Sequence, residues 1–438
     1  MNKLEKQDFQ IFKYPAYKDS GEYWMGEVPD KWELKKLKHI FQEKKITHNP
    51  ELNCGSISFG KVVYKDDDKI PLSTKASYQE VLPGEYLINP LNLNYDLISL
   101  RIGLSDISAV VSSGYIVLRN KEKLDKHYYK WLLHRYDVAY MKLLGSGVRQ
   151  TISFNHIANS LLAFPPLTEQ TVIARFLDDK TRKIDTAIKQ KEKLIALLKE
   201  RKQILIQQAV TKGLEPNVKM KDSGIDWIGE IPEHWEVKPL RYLGKTQNGV
   251  SAGAEYFGEG YPFVSYGDVY KNIELPMEVK GLAKSSIEDR KNYSVKQGDV
   301  FFTRTSETVE EIGFSSTCLQ TIEDATFAGF LIRFRPVKNV LSEKFSKYYF
   351  SSVLHRAFFV KEMNLVIRAS LSQDLLKMLP VLVSSMNEQE AIGEYIEKQS
   401  SKFDKSISLQ EKQIEKLKEY KSVLIDSAVT GKIKVPGV

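Results

Sequence analysis

The sequence predicts an α+β chain in which two similar globular domains are separated by two long antiparallel coiled-coil helices, related by a pseudo-two-fold internal repeat. Three observations predict it. Lys18-Asp19-Ser20-Gly21, Trp24, Gly26-Glu27, Pro29, Trp32-Glu33 and Leu37 return 203 positions later as Lys221-Asp222-Ser223-Gly224, Trp227, Gly229-Glu230, Pro232, Trp235-Glu236 and Leu240. A second block, Arg149–Thr211, returns without a gap 219 positions later as Arg368–Thr430. It keeps Glu169-Gln170 as Glu388-Gln389, Asp185 as Asp404, and Ala209-Val210-Thr211 as Ala428-Val429-Thr430. Between the blocks only a skeleton recurs: Gly84-Glu85 with Gly298-Asp299, Gly114-Tyr115 with Gly329-Phe330, and Leu133-His134-Arg135 with Leu354-His355-Arg356. A period near half the chain is too long for a solenoid and reads as one large unit duplicated. One frame then carries two different linings.

In chain order, residues 1–16 read as a tail, 17–166 and 220–385 as the globular domains, and 167–219 and 386–438 as the helical segments that follow them. The globular segments place strands first (Ile107–Val111, Tyr115–Leu118, Phe330–Phe334) and helices later (Lys126–Leu144, Glu343–Lys361), as α+β domains do. Pro83-Gly84, Gln297-Gly298-Asp299 and Phe257-Gly258-Glu259-Gly260 read as turns, with Gly258 and Gly260 simply a loop.

Thr168–Thr211 reads as one helix with Thr168 as N-cap and a stop at Gly213 and Pro216. Leu177, Ile184, Leu198 and Leu205 share a seven-residue register, with Ile173, Ala187 and Leu194 on its companion. The second helix starts at an Asn387 N-cap with Glu390 three residues on, and carries Ile392, Ile396, Phe403, Ile407, Ile414, Leu417 and Leu424. So narrow a stripe on a ~66 Å rod requires a similar rod as partner. Antiparallel pairing of the two rods generates the pseudo-two-fold.

Composition bounds the function. With 438 residues and 42% hydrophobic content the chain is globular. No run approaches the ~20 apolar residues of a membrane span. The charged N-terminus lacks an apolar signal region, and Cys54 and Cys318 belong to no paired motif, so the expectation is a cytoplasmic protein with reduced thiols and no membrane partner. A net charge of +8 and a pI near 9.0 suit a phosphate-bearing partner.

Catalytic signals fail one by one. Asp30, Glu33 and Lys35, repeated as Glu233, Glu236 and Lys238, resemble a nuclease site but lie too close in sequence to converge on a metal from several elements. Trp32 and Trp235 beside them read as core anchors. Asn89-Pro90-Leu91 lacks the second proline and the aromatic of an adenine methyltransferase motif, and no glycine-rich nucleotide fingerprint follows a strand. The His residues show no metal spacing. His134 and His355 read as structural. The chain shows no active site and no bound metal or cofactor of its own.

With these motifs in hand, the segment Met220–Leu240 resembles the opening of a target recognition domain in the specificity (S) subunit of Type I restriction-modification systems. Leu167-Thr168-Glu169-Gln170 and Met386-Asn387-Glu388-Gln389 resemble the start of that family's conserved helices, and the similarity covers the chain from Tyr17 onward. One departure is Ser384-Ser385 in place of the Pro165-Pro166 pair. The resemblance implies a non-catalytic subunit whose two domains each read one half of a bipartite, gapped site in double-stranded DNA. It implies that the helices act as spacer and dock two modification subunits, which methylate adenine with S-adenosylmethionine. Restriction (motor-nuclease) subunits join the complex, so that magnesium and ATP also belong to partners. A catalytic methyltransferase or nuclease, and a coiled-coil adaptor that binds only proteins, stand as the rival classes. Candidate base-reading residues are Ser56, Ser58, Lys61, Asn92 and Arg101 in the first domain and Asn248, Ser265, Tyr266, Arg304 and Ser306 in the second, because Arg suits guanine and Asn adenine through paired hydrogen bonds.

Overall fold

The computed structural model describes residues 12–58, 60–68, 70–91, 101–141, 152–306, 312–352, 354–355, 358–359 and 369–438. Chain contacts divide it into two compact units, Met1–Lys191 with Lys412–Val438, and Glu192–Glu411. Each unit therefore holds one globular part together with a stretch of both long helices.

The globular parts are built on the same bonds. Tyr17–Asp19 pairs with Glu27–Pro29, and Met220–Asp222 pairs with Glu230–Pro232. Between them a carboxylate accepts the N–H two residues on, Asp19 from Gly21 at 3.0 Å and Asp222 from Gly224 at 2.9 Å. The repeated Asp-Ser-Gly is thus turn chemistry. Glu33–Lys36 then pairs with Leu161–Phe164, and Glu236–Pro239 with Pro380–Val383. The last strand of each globular part closes on its opening and hands over directly to a long helix.

The first part carries a six-stranded sheet in the order Phe41–Glu43, Ile116–Asn120, Tyr86–Ile88, Ile102–Leu104, Lys61–Tyr64, Gly55–Ser58. In the second, four strands run Gly244–Asn248, Leu331–Pro336, Val300–Thr303, Ser315–Thr317, and three more run Gly281–Ala283, Phe257–Val264, Thr326–Phe327. Gly258 and Gly260 are not a loop: they sit at φ +108° and +104° inside Phe257–Val264, where the register with Gly281–Ala283 shifts. That is a β-bulge, which uses the freedom of glycine within a strand. The Gly84-Glu85 and Gly298-Asp299 turns superpose in conformation, both glycines at φ +85°. Each delivers a buried carboxylate to a sheet arginine: Asp299 takes Arg335 through two bonds of 2.6 Å, and Glu85 takes Arg119.

The long helices run Leu167–Lys212 and Met386–Val429. Both start two residues earlier than N-caps at Thr168 and Asn387 imply. At the second, Ser385 rather than Asn387 is the cap: its hydroxyl accepts the Glu388 N–H at 3.3 Å, while Glu390 accepts a bond from the Ser342 hydroxyl at 2.5 Å. The serine pair that departs from Pro165-Pro166 thus has a capping role.

The repeated Glu-Gln pair ties each helix to its globular part. Glu169 accepts from the Trp32 indole at 2.9 Å and Glu388 from the Trp235 indole at 3.0 Å, with both rings wholly buried. Gln170 accepts the Asp125 N–H and donates to Pro165 O; Gln389 accepts the Ser342 N–H and donates to Ser384 O. At the far helix ends Gly213 and Gly431 adopt φ +71° and +74°. A Cβ at Gly431 would lie 2.3 Å from Pro29 and 3.0 Å from Trp32, so the helix end and the tryptophan fit only without a side chain there.

Ile173, Leu177, Thr181 and Ile184 are buried on one helix, and Ile392, Ile396, Ser400, Ile407, Ile414 and Leu424 on the other. Leu198, Leu205, Phe403 and Leu417 are half-buried on the same seams. After two opening spacings of four on each helix, spacings of three and four alternate, as a coiled-coil seam requires. In the first unit Asp185 meets Lys421 at 2.7 Å, and Lys191 meets Gln413, which makes the pairing antiparallel. In the second, Lys202 meets Asp404 at 2.7 Å, the repeat image of the Lys421–Asp185 bridge. One expected seam residue is corrected. Leu194 is 42% exposed, because the companion register lies four residues after the first (Thr181, Ile188, Ile195) rather than three.

Among the described residues no helix is long and apolar enough to cross a membrane.

Candidate nucleic-acid interface

Three of the five residues singled out in the second domain converge. Ser265, Tyr266 and Arg304 line an open cleft of about 890 Å³ together with Val250, Ser251, Phe257, Thr305, Gly329, Phe330 and Ser370. The sequence builds it from strand ends. Val300–Thr303 runs into Arg304, the neighbouring strand Leu331–Pro336 begins just after Phe330, and Phe257–Val264 ends at Ser265.

Local bonds then decide which of these groups can meet a ligand. The Ser265 hydroxyl donates to Asp268 at 2.7 Å in the capping box of Tyr266–Lys271, so its chemistry is spent on the helix. The Tyr266 hydroxyl donates to Thr305 O at 3.0 Å, and its ring stacks on Tyr270. Arg304 is held by its backbone: its N–H donates to Phe330 O and its carbonyl accepts the Leu371 N–H. Its guanidinium reaches toward Gly329 O at 3.5 Å, a weak contact. Phe330, 62% exposed, stands on that fixed turn at the cleft.

Asn248 ends the strand that leads to Val250 and is half-buried, with its side-chain oxygen unpaired. Ser306 lies in the short strand Thr305–Ser306, paired with Ala369–Ser370.

In the first domain Ser56, Ser58 and Lys61 fall on one hairpin, Gly55–Ser58 with Lys61–Tyr64, at the edge of the six-stranded sheet. Ser58 lies opposite Lys61, Ser56 is half-buried and Lys61 exposed. Asp67 pins the hairpin base by accepting the Cys54 N–H at 2.7 Å and the Lys75 ammonium at 2.7 Å. The Lys75 ammonium first, then the Cys54 thiol and N–H, hold its carboxyl down at about 2. Asn92 lies outside the described residues. Arg101 corrects the sequence reading: it is 5% exposed and bonded to Asp137 through its N–H at 2.7 Å and its Nε at 3.0 Å, an interior ion pair rather than a loop cation.

Sequence reasoning missed Phe330 as a surface group. It also missed Lys245, Arg333 and Arg335, which read as ordinary strand residues.

Among the described residues no cluster of three His, Cys, Asp or Glu could hold a metal ion. The Lys35 ammonium bridges Glu122 at 2.8 Å and Glu33 at 3.5 Å. His355 is buried with Nε2 3.0 Å from Tyr349 O, a packing role.

Comparison with known proteins gives one answer. The family model for the Type I restriction modification DNA specificity domain matches residues 29–196 and again 232–419. The putative MjaX specificity subunit of Methanocaldococcus jannaschii is 23% identical over 97% of this chain and 98% of its own length. The EcoKI specificity subunit of Escherichia coli K12 is 26% identical over 44% of this chain and 40% of its own. Among solved structures, one from a study of Type I restriction-modification complex assembly matches with a TM-score of 0.67 at 16% identity, covering 92% of this chain and 98% of that one. The HsdS subunit of Thermoanaerobacter tengcongensis gives 0.54 at 15% identity, with 93% and 98% covered. Two matches to one DNA-specificity model, falling on the two copies of the repeat, place the chain in a family: it belongs to the specificity subunits of Type I restriction-modification systems and is a DNA-recognition subunit.

Proposed function

We propose that each globular domain reads one half of a bipartite, gapped DNA site. The second domain does so through the cleft walled by Arg304, Thr305 and Phe330, and the first through the Gly55–Tyr64 hairpin with Ser56, Ser58 and Lys61. The observation that carries this is the contrast between the copies: the Trp–Glu and Gln bonds and the Lys–Asp bridge of the helix seam recur, while the surfaces they support share almost no residue.

The long helices set the gap and dock two modification subunits, which methylate adenine with S-adenosylmethionine. Restriction subunits using ATP and magnesium complete the complex. This chain supplies address and geometry, and its partners supply the chemistry.

Mapping methylated adenines across the genome with and without this gene tests the reading. The expected motif is asymmetric and interrupted by a gap, and in an Arg304→Ala strain it relaxes at one base pair of one half, by about 1–3 kcal/mol of discrimination. A palindromic or ungapped motif overturns the two-reader proposal. Equal weakening on every sequence would make Arg304 a phosphate contact.

A further inference from the structure

The second domain holds a cationic pocket at the opposite end of the Leu331–Pro336 strand from the cleft. Arg333 and Arg335 are two residues apart, so their side chains share one face of the sheet. Across the strand pair they face Gln247 and Lys245. These residues line a pocket of about 420 Å³.

The charges do not balance. Asp299, wholly buried, is consumed by Arg335 through two bonds of 2.6 Å. Arg333 is 6% exposed, and its hydrogen bonds go to neutral oxygens: Ser294 O at 2.5 Å and the Gln247 side chain. Its Nε has no partner among the described residues. Burial, with Arg335 adding repulsion against the attraction of Asp299, brings its pKa down to about 10. Lys245 is exposed at the rim. Three cations therefore surround one carboxylate.

The other copy shows that the frame does not need this. Strand pairing puts Val117 where Arg333 stands: Val117 lies opposite Leu87 as Arg333 lies opposite Phe301. Val117 is buried among apolar neighbours. Around the matching carboxylate, Lys44 and Arg119 are balanced by Glu80 and Glu85. Arg333 has no carboxylate bonded to it and shares the nearby Asp299 with Arg335, a desolvation cost that a valine avoids, so its presence calls for an anion from outside.

We infer that the Lys245–Arg333–Arg335 pocket is an anion site that takes a phosphate group. Guanidinium forks match phosphate oxygens, and a neighbouring ammonium adds a point charge. The group is either a backbone phosphate of bound DNA or free phosphate. The site itself does not depend on which residues read bases.

The test uses the full chain and inorganic phosphate at constant ionic strength. Phosphate raises the unfolding midpoint of the wild type. Arg333→Val, which installs the residue of the first copy, abolishes that rise. Lys245→Gln, at an exposed position that leaves the fold intact, weakens phosphate binding about tenfold, the loss of one charge-assisted contact. Binding of a DNA duplex across a salt series separates the sources. If DNA fills the pocket, Lys245→Gln lowers the slope of log affinity against log salt by about 0.9. An unchanged slope with weakened phosphate binding assigns the site to free phosphate. Absence of any phosphate effect beyond chloride overturns the inference, as does equal stabilisation of both variants and wild type.

Discussion

The two globular domains differ most where they are most alike in backbone. Both place a carboxylate after a glycine at φ +85° and aim it at an arginine of the adjoining strand. In the first domain that carboxylate sits in a neutral cluster with Lys44, Arg119 and Glu80. In the second it stands alone among Arg333, Arg335 and Lys245. Duplication has kept the backbone device and let its charge drift, which is the pattern of a frame under one constraint and a lining under another. The frame must hold a helix and a tryptophan in place in both copies, whereas the lining answers only to its own ligand.

If the frame is common, breaking it should cost both copies alike. Trp32→Ala and Trp235→Ala each remove a wholly buried indole and its bond to Glu169 or Glu388. Each is expected to lose about 3–5 kcal/mol of unfolding free energy, measured by denaturant titration. A large loss in one copy with almost none in the other would mean that the repeated motif has different structural roles in the two domains.

The charge clusters should respond unequally. Asp299→Asn removes the carboxylate bonded to Arg335 and is expected to cost about 3–5 kcal/mol, the range for breaking a buried pair. In Glu85→Gln, Lys44 keeps Glu80 at 3.3 Å, and the Arg119 side chain is 45% exposed, so water takes over part of its solvation. About 1–2 kcal/mol is expected there, discounted for that exposure. Thermal or urea unfolding of both variants decides it, and equal losses would erase the contrast between the clusters.

Legibility in the sequence followed locality. The repeat, the anchoring tryptophans, the Pro83-Gly84 and Gln297-Gly298 turns and both long helices were readable, because each rests on spacing within a few residues or on direct self-similarity. Leu194 misled because residues three and four along a helix are both neighbours of the seam, and only packing selects between them. Arg101 misled because its partner, Asp137, arrives from a helix 36 residues on. Ser385 was hidden by Asn387, an equally good cap two residues later, and the Gly258–Gly260 bulge looks like a loop until a partner strand is known. At the interface, Arg304 and Phe330 meet only through strand pairing, so the cleft had no contiguous signature.

The smallest expected effect separates two anchoring carboxylates, one in each globular domain, under acid. In the first domain Asp67 ties down the Ser56–Lys61 hairpin; in the second Asp289 caps Ile287–Asn292 and accepts from Tyr256 at 3.3 Å. Both carboxyls are held below their ordinary value. Asp67 is lowered to about 2 by its bonds to Lys75 and Cys54, and Asp289 chiefly by the Ser286 N–H. A carboxylate whose folded pKa is depressed contributes stability that is fully present above its unfolded pKa, about 3.9, and lost as pH falls through the folded one. For Asp67 that window runs from about pH 4 to about 2. Exchange of the Cys54 amide, which donates to Asp67, should therefore accelerate across this window in the wild type beyond the intrinsic pH trend. In Asp67→Asn the site no longer titrates, so the excess acceleration should vanish while the Asp289 cap keeps its own acid response. If Asp67→Asn shows the same acid response at Cys54 as the wild type, the hairpin is anchored by packing rather than by this carboxylate.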